Sequence, residues 1–276
     1  MTEALTLLDI AITTAKKAGV EVMRYYGKGN FEAFTKNDDS PVTDADYAAN
    51  KVIVDELSRL TPDIPIISEE SEHLALKDRV NWPRYWLLDP IDGTGEFIAG
   101  SGDFAVNIAL IEHNWPVIGV IHAPAYNVTY YAEVGEGAFK EDEHASKQIH
   151  VAEYDGKRAI NVGVSRRQKL TVMAQYLNND YSYNHIPLGS CSLKSCQIAE
   201  GTTDCYLRIG PTGEWDTGAS HCILEEAGGT IMDSELNSLS YNKRESLMNP
   251  DFIGLGNIEI PWPDLIIKHR CERDYE

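Results

Sequence analysis

Basic residues are scarce. Against 43 Asp and Glu, the 276-residue chain carries 24 Lys and Arg, a formal net charge of −19. That balance argues against a nucleic-acid-binding surface, because polyphosphate backbones are gripped by clustered Lys and Arg. It leaves room for a small anionic ligand, provided bound metal ions supply positive charge locally. Long hydrophobic runs are missing too. No stretch approaches the ~18 apolar residues a membrane span requires. The N-terminal "MTEALTLLDIAITTAKKAGVEVMRYY" has no basic segment ahead of an apolar core, so it reads as an amphipathic helix and not as a leader. The five cysteines (191, 196, 205, 222 and 271) are odd in number and lack metal-site spacing. Free thiols in a reducing cytosol are the expectation. No internal repeat or low-complexity segment is visible. What is there is ordinary for a globular protein, 43% hydrophobic and 9% aromatic, and long enough for one large domain or two closely packed ones.

The pattern predicts a first helix over residues 3 to 26, closed near Gly27 and Gly29, and a second from about Thr43 to Leu60 after a polar loop and Pro41. "IPIISEE" and "RYWLLDP" are short apolar strands that end in acid. Residues 104 to 140 alternate and break at "HNWP", "PAYN" and "GEG", the signature of an antiparallel meander. From about 159 strands alternate with helices: "AINVGVS", a helix around 167 to 178, "YNHIP", the helix "SCSLKSCQIAEG", "TDCYLRI", the helix "EWDTGASHCILEEAGG" and "TIMD". This is an α/β half with helices covering a sheet. The polar stretch "HVAEYDGKR" divides the chain into 1–157, α+β, and 158–276, α/β.

Three elements end or begin in carboxylates: "ISEES" (Glu69, Glu70), "DPIDGT" (Asp89, Asp92) and "EWDTG" (Asp216). A lone surface acid is ordinarily a solvated side chain. These acids follow apolar strands, which places them at strand ends, where open sheets build their sites. Clustered carboxylates repel one another and cost desolvation unless a cation lies between them. Hard divalent cations with oxygen ligands, Mg²⁺ above all, answer that need. In "DPIDGT", Pro90 fixes φ and is expected to end the ladder, so that Asp89, Asp92 and the carbonyl of Ile91 converge. Gly93 removes a side chain where a ligand must approach, and Thr94 opens a short helical turn whose free N–H groups suit a phosphate oxygen.

With "SEE" at 68–70, "DPIDGT" at 89–94 and "EWDTGA" at 214–219 in that order, the sequence resembles the inositol monophosphatase superfamily of Mg²⁺-dependent, lithium-sensitive phosphatases over essentially its whole length. Within it, "DGTGEF", "GSCSLKSCQIAEG", "GPTGEWDT" and "RESLMNP" look like the bacterial 3′(2′),5′-bisphosphate nucleotidases. Gly95 departs from the lysine often found there, and Cys191 makes "GSCSLK" one residue longer than the usual Gly-Ser-Ser-Leu-Lys. The resemblance implies a layered αβαβα sandwich, an α/β (α+β) sugar-phosphatase fold with its site between the two parts. It also implies a metal set of Glu69, Asp89, the Ile91 carbonyl, Asp92 and Asp216 holding two to three Mg²⁺. Catalytic roles fall to Glu69, Thr94 and Asp46, with Thr94 orienting a water and Asp46 taking its proton. Substrate contacts would come from Glu69, Ile91, Asp92, Gly93, Thr94, Ser190, Lys194 and Asp216. The implied substrate is a small bisphosphorylated nucleotide, adenosine 3′,5′-bisphosphate, a by-product of sulfate activation. An inositol phosphate is the alternative, and a non-catalytic nucleotide sensor a remote one. The setting is cytoplasmic, with a peripheral membrane position open, and no protein partner is indicated.

From the residues themselves several roles stay double. Asp46 would equally cap the helix that begins near Thr43. Asp216 would serve as a helix N-terminal acid favoured by the dipole. Glu70 reads as a solvated acid or one behind the ligands. Lys194 and Arg208 are candidates for the second phosphate or solvated cations. "RRQK" at 166–169 is a solvated face or an attractor of anions.

Overall fold

The computed structural model describes residues 5–27, 31–36, 41–166 and 170–267. Residues 3 and 4 of the expected first helix, Gly29, positions 167–169 of the "RRQK" stretch and Cys271 lie outside the described residues. Helix α1 (Leu7–Tyr26) starts where Thr6 and Asp9 exchange hydrogen bonds in a capping box, the Asp9 amide donating to Thr6 Oγ1 at 3.1 Å. Its buried face, Ile10, Ala11, Thr14, Ala15, Ala18 and Val22, follows helical spacing and is mostly small, so the helix lies close on its neighbours. A two-strand ribbon follows, β1 (Ala33–Thr35) and β2 (Pro41–Thr43), and leads directly into α2 (Asp44–Leu60).

Next come β3 (Ile66–Ser68), one turn of helix α3 (Leu76–Arg79), β4 (Arg84–Asp92) and the short α4 (Thr94–Ala99). The expected meander is β5 (Ala105–Glu112), β6 (Trp115–Ala123), β7 (Val128–Glu133), β8 (Gly137–Glu141) and β9 (Ser146–Ile149). Strands β3 to β9 form one seven-stranded sheet in sequence order, antiparallel throughout except for the parallel pair β3–β4. Pro90 does not end its strand. The ladder runs on to Asp92, with Asp89 opposite Asn107 and Asp92 opposite Ala105, so one extra residue is accommodated as a bulge. The missing N–H of Pro90 falls inside that bulge, where no ladder bond is required.

The remainder supplies β10 (Ile160–Ser165), α5 (Leu170–Met173), β11 (Tyr183–Leu188), α6 (Cys191–Ala199), β12 (Cys205–Arg208), α7 (Gly218–Glu226), β13 (Thr230–Asp233), β14 (Phe252–Leu255) and α8 (Trp262–Leu265). The helix expected to reach 178 is one α turn followed by a 3₁₀ turn, Ala174–Tyr176. The five strands order as β11-β10-β12-β14-β13. Strands β11, β10 and β12 are parallel, and β14 is antiparallel to both β12 and β13.

Alternation along the strands builds the layers. On β4 and β5, Trp86, Leu88, Val106, Ile108 and Leu110 face α1 and α2, while Tyr85, Leu87, Ala105, Ala109 and Ile111 face α6 and α7. The five-stranded sheet turns Tyr206, Ile231 and Phe252 toward the same two helices. Its other face packs Val162, Leu207 and Ile253 on Met173, Tyr176, Trp262 and Leu265. The result is an αβαβα sandwich. Its central helices are buried between two sheets, which explains why α6 and α7 carry small residues. A Cβ at Gly119 of β6 would sit 2.2 Å from the carbonyl oxygen of Ala219 on α7. Cys191, Cys196, Cys205 and Cys222 are buried free thiols. No helix among the described residues is long and apolar enough to cross a membrane.

Candidate metal centre and its cavity

The acids meet where three pieces of chain converge. Parallel pairing of β3 with β4, continued by the Glu69 amide on the Leu88 carbonyl (3.1 Å), sets Glu69 beside Asp89. The bulge in β4 turns Asp89 and Asp92 to one side, and the 3₁₀ turn Glu214–Asp216 brings Asp216 across from the other part of the chain. Ligand-capable oxygens of Asp89, Asp92 and Asp216 all lie within 4.8 Å of one another. Burial first, and then the charges of Glu69, Asp92 and Asp216, push the Asp89 carboxyl well above the usual carboxylate range. Asp216 is driven the same way by burial, Asp92 and Glu69, against the pull of its bond from the Gly213 amide (2.6 Å). A site where several carboxylates are held together at this cost fits a divalent cation with oxygen ligands, and the donor set contains no soft ligand.

Asp92 differs from its neighbours. Its Oδ2 accepts from the hydroxyls of Ser190 and Ser192 and from the Ser192 amide (2.7 Å), and its Oδ1 from the Cys191 amide (3.3 Å). The N-terminal turn of α6 thus grips this acid, and Ser190 caps the same helix through the Leu193 amide (3.1 Å). With Oδ2 spent on three donors, Oδ1 is the oxygen with capacity left for a cation.

Asp46 bonds to the start of α2 and to Thr94 at once. One carboxylate oxygen accepts from the amide (2.8 Å) and hydroxyl (2.7 Å) of Thr43 as the cap of α2, and the other accepts from Thr94 Oγ1 at 3.0 Å. Thr94 Oγ1 also lies 3.2 Å from the Ile91 carbonyl. Burial raises the Asp46 carboxyl, and the Thr43 and Thr94 bonds oppose it. Gly93 has φ +94°, and a Cβ there would stand 2.9 Å from the Asp103 carbonyl. The protein's own backbone demands glycine here, in addition to any ligand.

Glu69 meets a cation that sequence reasoning passed over. Lys36, just after β1, places Nζ 2.7 Å from Glu69 Oε1 and 2.5 Å from Glu70 Oε1. Burial pushes Glu70 up to about 7 in spite of that lysine. No motif marks Lys36; only the fold of the ribbon carries it there.

A cavity of about 210 Å³ opens from the acids toward α6, bordered by Asp92, Glu96, Ser190, Lys194, Arg208 and Asp216. The expected phosphate contact Lys194 is buried, and its ammonium donates to the backbone carbonyls of Gly189 and Ser190 (2.6 Å for the latter) and lies 4.7 Å over the Tyr206 ring. Burial pushes it down to about 8. Arg208 reaches the same cavity; its Nη2 donates to the Pro211 carbonyl at 3.2 Å, while its buried Nε has no partner. Arg166 turns to Asp103, with Glu96 at 3.6 Å. Asp103, also unmarked in the sequence, accepts from Tyr126 (2.5 Å) and the Gly189 amide (3.0 Å), so it anchors the turn before α6. A larger cavity of about 900 Å³ opens at Asn178, Tyr181 and Asp264. Among the described residues, the one group of three or more side chains that could hold a metal ion is the Asp89, Asp92 and Asp216 set.

The chain and its fold are similar to those of known proteins. The chain is 44% identical over 247 residues to the 3′(2′),5′-bisphosphate nucleotidase CysQ of Salmonella typhimurium, covering 89% of this chain and 98% of that one. It is 40% identical over 256 residues to CysQ of Aggregatibacter actinomycetemcomitans, with 93% and 95% covered. The crystal structure of CysQ from Bacteroides thetaiotaomicron superposes with a TM-score of 0.77 at 35% identity, covering 90% and 96%. An IMPase of Thermotoga maritima gives 0.74 at 28% identity, covering 90% and 91%. The sequence model of the Inositol monophosphatase family matches residues 3–259, and the chain belongs to that family.

Proposed function

We propose that the chain is a 3′(2′),5′-bisphosphate nucleotidase that hydrolyses the 3′-phosphate of adenosine 3′,5′-bisphosphate to AMP and inorganic phosphate, with Mg²⁺ held by the acidic cluster and a place in sulfur metabolism. One observation carries the reading: Asp89, Asp92 and Asp216 converge, and the last two border a cavity that also presents Arg208. Glu69, Asp89 and the Ile91 carbonyl would hold one ion and Asp89, Asp92 and Asp216 a second, with Glu69 available to a third. Bound there, divalent ions supply Lewis-acid stabilisation of phosphoryl and leaving-group charge and lower the pKa of water.

The chain's own residues do the rest. Thr94 donates its hydroxyl proton to Asp46, so its oxygen lone pairs accept from a water and orient it. As the water oxygen bonds to phosphorus, its proton passes through Thr94 to Asp46, whose raised affinity for protons suits a general base. The 3′ oxygen leaves with the bonding pair and takes up a proton to become the free hydroxyl. The amides of Gly93 and Thr94 would face a non-reacting phosphate oxygen. Among the described residues that border the cavity, Arg208 and Lys194 are the cations that would meet the second phosphate, Lys194 from a seat on backbone carbonyls.

Phosphate release from adenosine 3′,5′-bisphosphate, 2′-AMP and inositol 1-phosphate tests the reading. The bisphosphate is expected to be the preferred substrate. Excess EDTA is expected to stop turnover, Mg²⁺ to restore it, and Li⁺ to inhibit. Ca²⁺ should inhibit as well, because it relaxes the octahedral arrangement Mg²⁺ demands. Preference for inositol 1-phosphate would transfer the chain to the inositol-phosphatase branch, and full turnover in EDTA would refute the metal. Arg208→Ala is expected to lower kcat/KM on the bisphosphate about 10- to 150-fold, the loss of a charge-assisted contact. Monophosphate hydrolysis should hold within about threefold, since there is no second phosphate to lose.

A further inference from the structure

Thr212 buries a hydroxyl that the fold does not use. It stands in the loop between β12 and the 3₁₀ turn of Asp216, 6% exposed, and its Oγ1 has no hydrogen-bond partner among the described residues. Other atoms hold that loop in place. The Gly210 amide donates to Asp251 (2.8 Å), the Asn249 amide to the Thr212 carbonyl (2.8 Å), and the Asn249 side chain to the Gly213 carbonyl (2.7 Å). None of these bonds involves the Thr212 hydroxyl. A buried hydroxyl without a partner is destabilising, and a methyl group of the same shape would remove that penalty. Packing alone therefore gives no reason for threonine at this position.

The surroundings supply the reason. Thr212 borders the cavity of about 210 Å³ together with Arg208 and Asp216. Arg208 is tied to the same loop, its Nη2 donating at 3.2 Å to the carbonyl of Pro211, the residue before Thr212, and its buried Nε has no partner either. A cationic N–H and a hydroxyl, neither with an acceptor in the protein, thus border one cavity. The guanidinium can only donate, so the group that satisfies both is one that brings acceptor oxygens. We propose that Thr212 is a specificity residue of this cavity, its hydroxyl donating to an oxygen of the phosphate that is not cleaved, beside Arg208. This rests on the proposed nucleotidase reading and adds a neutral donor to the cations named there. The loop is already fixed by its own bonds, and the hydroxyl gives up no internal bond when the phosphate arrives, so the contact adds directly to affinity.

The test uses Thr212→Val, which keeps the shape of the side chain and removes the hydroxyl, beside Thr212→Ser, which keeps the hydroxyl. Turnover is measured on adenosine 3′,5′-bisphosphate and on 2′-AMP. Binding of AMP, which retains the uncleaved phosphate, and of adenosine, which lacks it, is measured by calorimetry with Mg²⁺ present. Thr212→Val is expected to raise KM for the bisphosphate about 10- to 100-fold, with the loss in KM and not in kcat, and to weaken AMP binding by the same factor. The ratio of kcat/KM on the bisphosphate to that on 2′-AMP should fall accordingly, and Thr212→Ser should restore most of it. The unfolding temperature of Thr212→Val is expected to equal or exceed that of the wild type, because the change removes an unpaired buried hydroxyl. Unchanged KM and AMP affinity would overturn the proposal. So would equal losses on both substrates, an equal loss of adenosine binding, or a variant that is less stable or does not fold, since each would give the hydroxyl a role within the fold. A wild-type protein that does not hydrolyse the bisphosphate would sink the nucleotidase reading, while the AMP titrations still decide Thr212.

Discussion

Asp216→Asn is expected to lower phosphate release at least about 100-fold while leaving the protein folded and, without metal, more stable at neutral pH than the wild type. The catalytic half follows from the cluster: Asp216 is one of three oxygen donors within 4.8 Å, and a neutral amide there is a poorer ligand for a hard cation. Its effect should exceed the 10- to 100-fold typical of groups behind the ligands. The stability half follows from repulsion. Asp89 and Asp216 are held above their ordinary carboxylate range by burial and by each other's neighbours. A carboxyl whose folded-state pKa exceeds its unfolded value takes up protons on folding. Its contribution is full below about pH 4 and is lost as pH rises through the raised value. The metal-free wild type should therefore lose stability over that window and regain it with Mg²⁺, while Asp216→Asn shows a flatter profile. Asparagine keeps an oxygen for the Gly213 amide, so the 3₁₀ turn survives. Unfolding temperatures in EDTA from pH 4 to pH 8, for both proteins, check this. A mutant that turns over at the wild-type rate, or unfolds even with Mg²⁺ present, would contradict the assignment.

Arg79→Ala is expected to be the most destabilising single change away from the metal, by about 3–5 kcal/mol, the cost of emptying one end of a buried charged network. Arg79 is 1% exposed and spends its guanidinium on the Leu74 carbonyl (2.9 Å), Asn242 Oδ1, and the carbonyls of Arg244 (2.9 Å) and Glu245 (2.6 Å). Asn242 returns a bond to the Arg79 carbonyl (2.8 Å) and donates its amide to the fully buried Glu214 (2.8 Å), which Arg244 also meets at 3.1 Å. Alanine leaves these acceptors without donors and water excluded. The unfolding temperature should fall on the order of 10 °C. Because Asn249 in the same segment donates to the Gly213 carbonyl (2.7 Å) and Thr217 Oγ1 (3.1 Å), the turn that carries Asp216 depends on it. The variant should thus also bind Mg²⁺ more weakly. A fall of less than about 1 kcal/mol in denaturant titrations would show that the network relaxes around the gap. The same contacts give "RESLMNP" a structural role: it braces the Asp216 turn from below.

Local chemistry was legible because it acts over a few residues. The apolar run into "DPIDGT", the capping pattern Thr43 to Asp46, and the glycine at Gly93 each state their demand within four positions, and each is met in the folded chain. The meander and the later alternation of strand with helix were legible as well, while the layer order came with the family resemblance; the two buried faces of β4 and β5 are seen only in the folded chain. The extension of β4 through Pro90 was not, because whether a missing N–H matters depends on the partner strand, and opposite Asn107 to Ala105 β4 carries one extra residue in a bulge that takes in Pro90.

What remained belonged to the tertiary structure, and in every case the cause is a partner far away in the chain. Asp46 reads as cap or base from the sequence, and only the folded chain shows Thr94, 48 residues on, bonded to its second oxygen. Lys36 carries no motif and acquires its position from Glu69, 33 residues away. Lys194 and Arg208 are equivalent cations in the sequence. The burial of α6 between two sheets turns the first onto backbone carbonyls at the cavity's border, while the end of β12 brings the second to the same cavity. Sequence determines which side chains are able to bind a metal, a phosphate or a proton. Burial and the approach of distant strands decide which of their donors and acceptors are already taken.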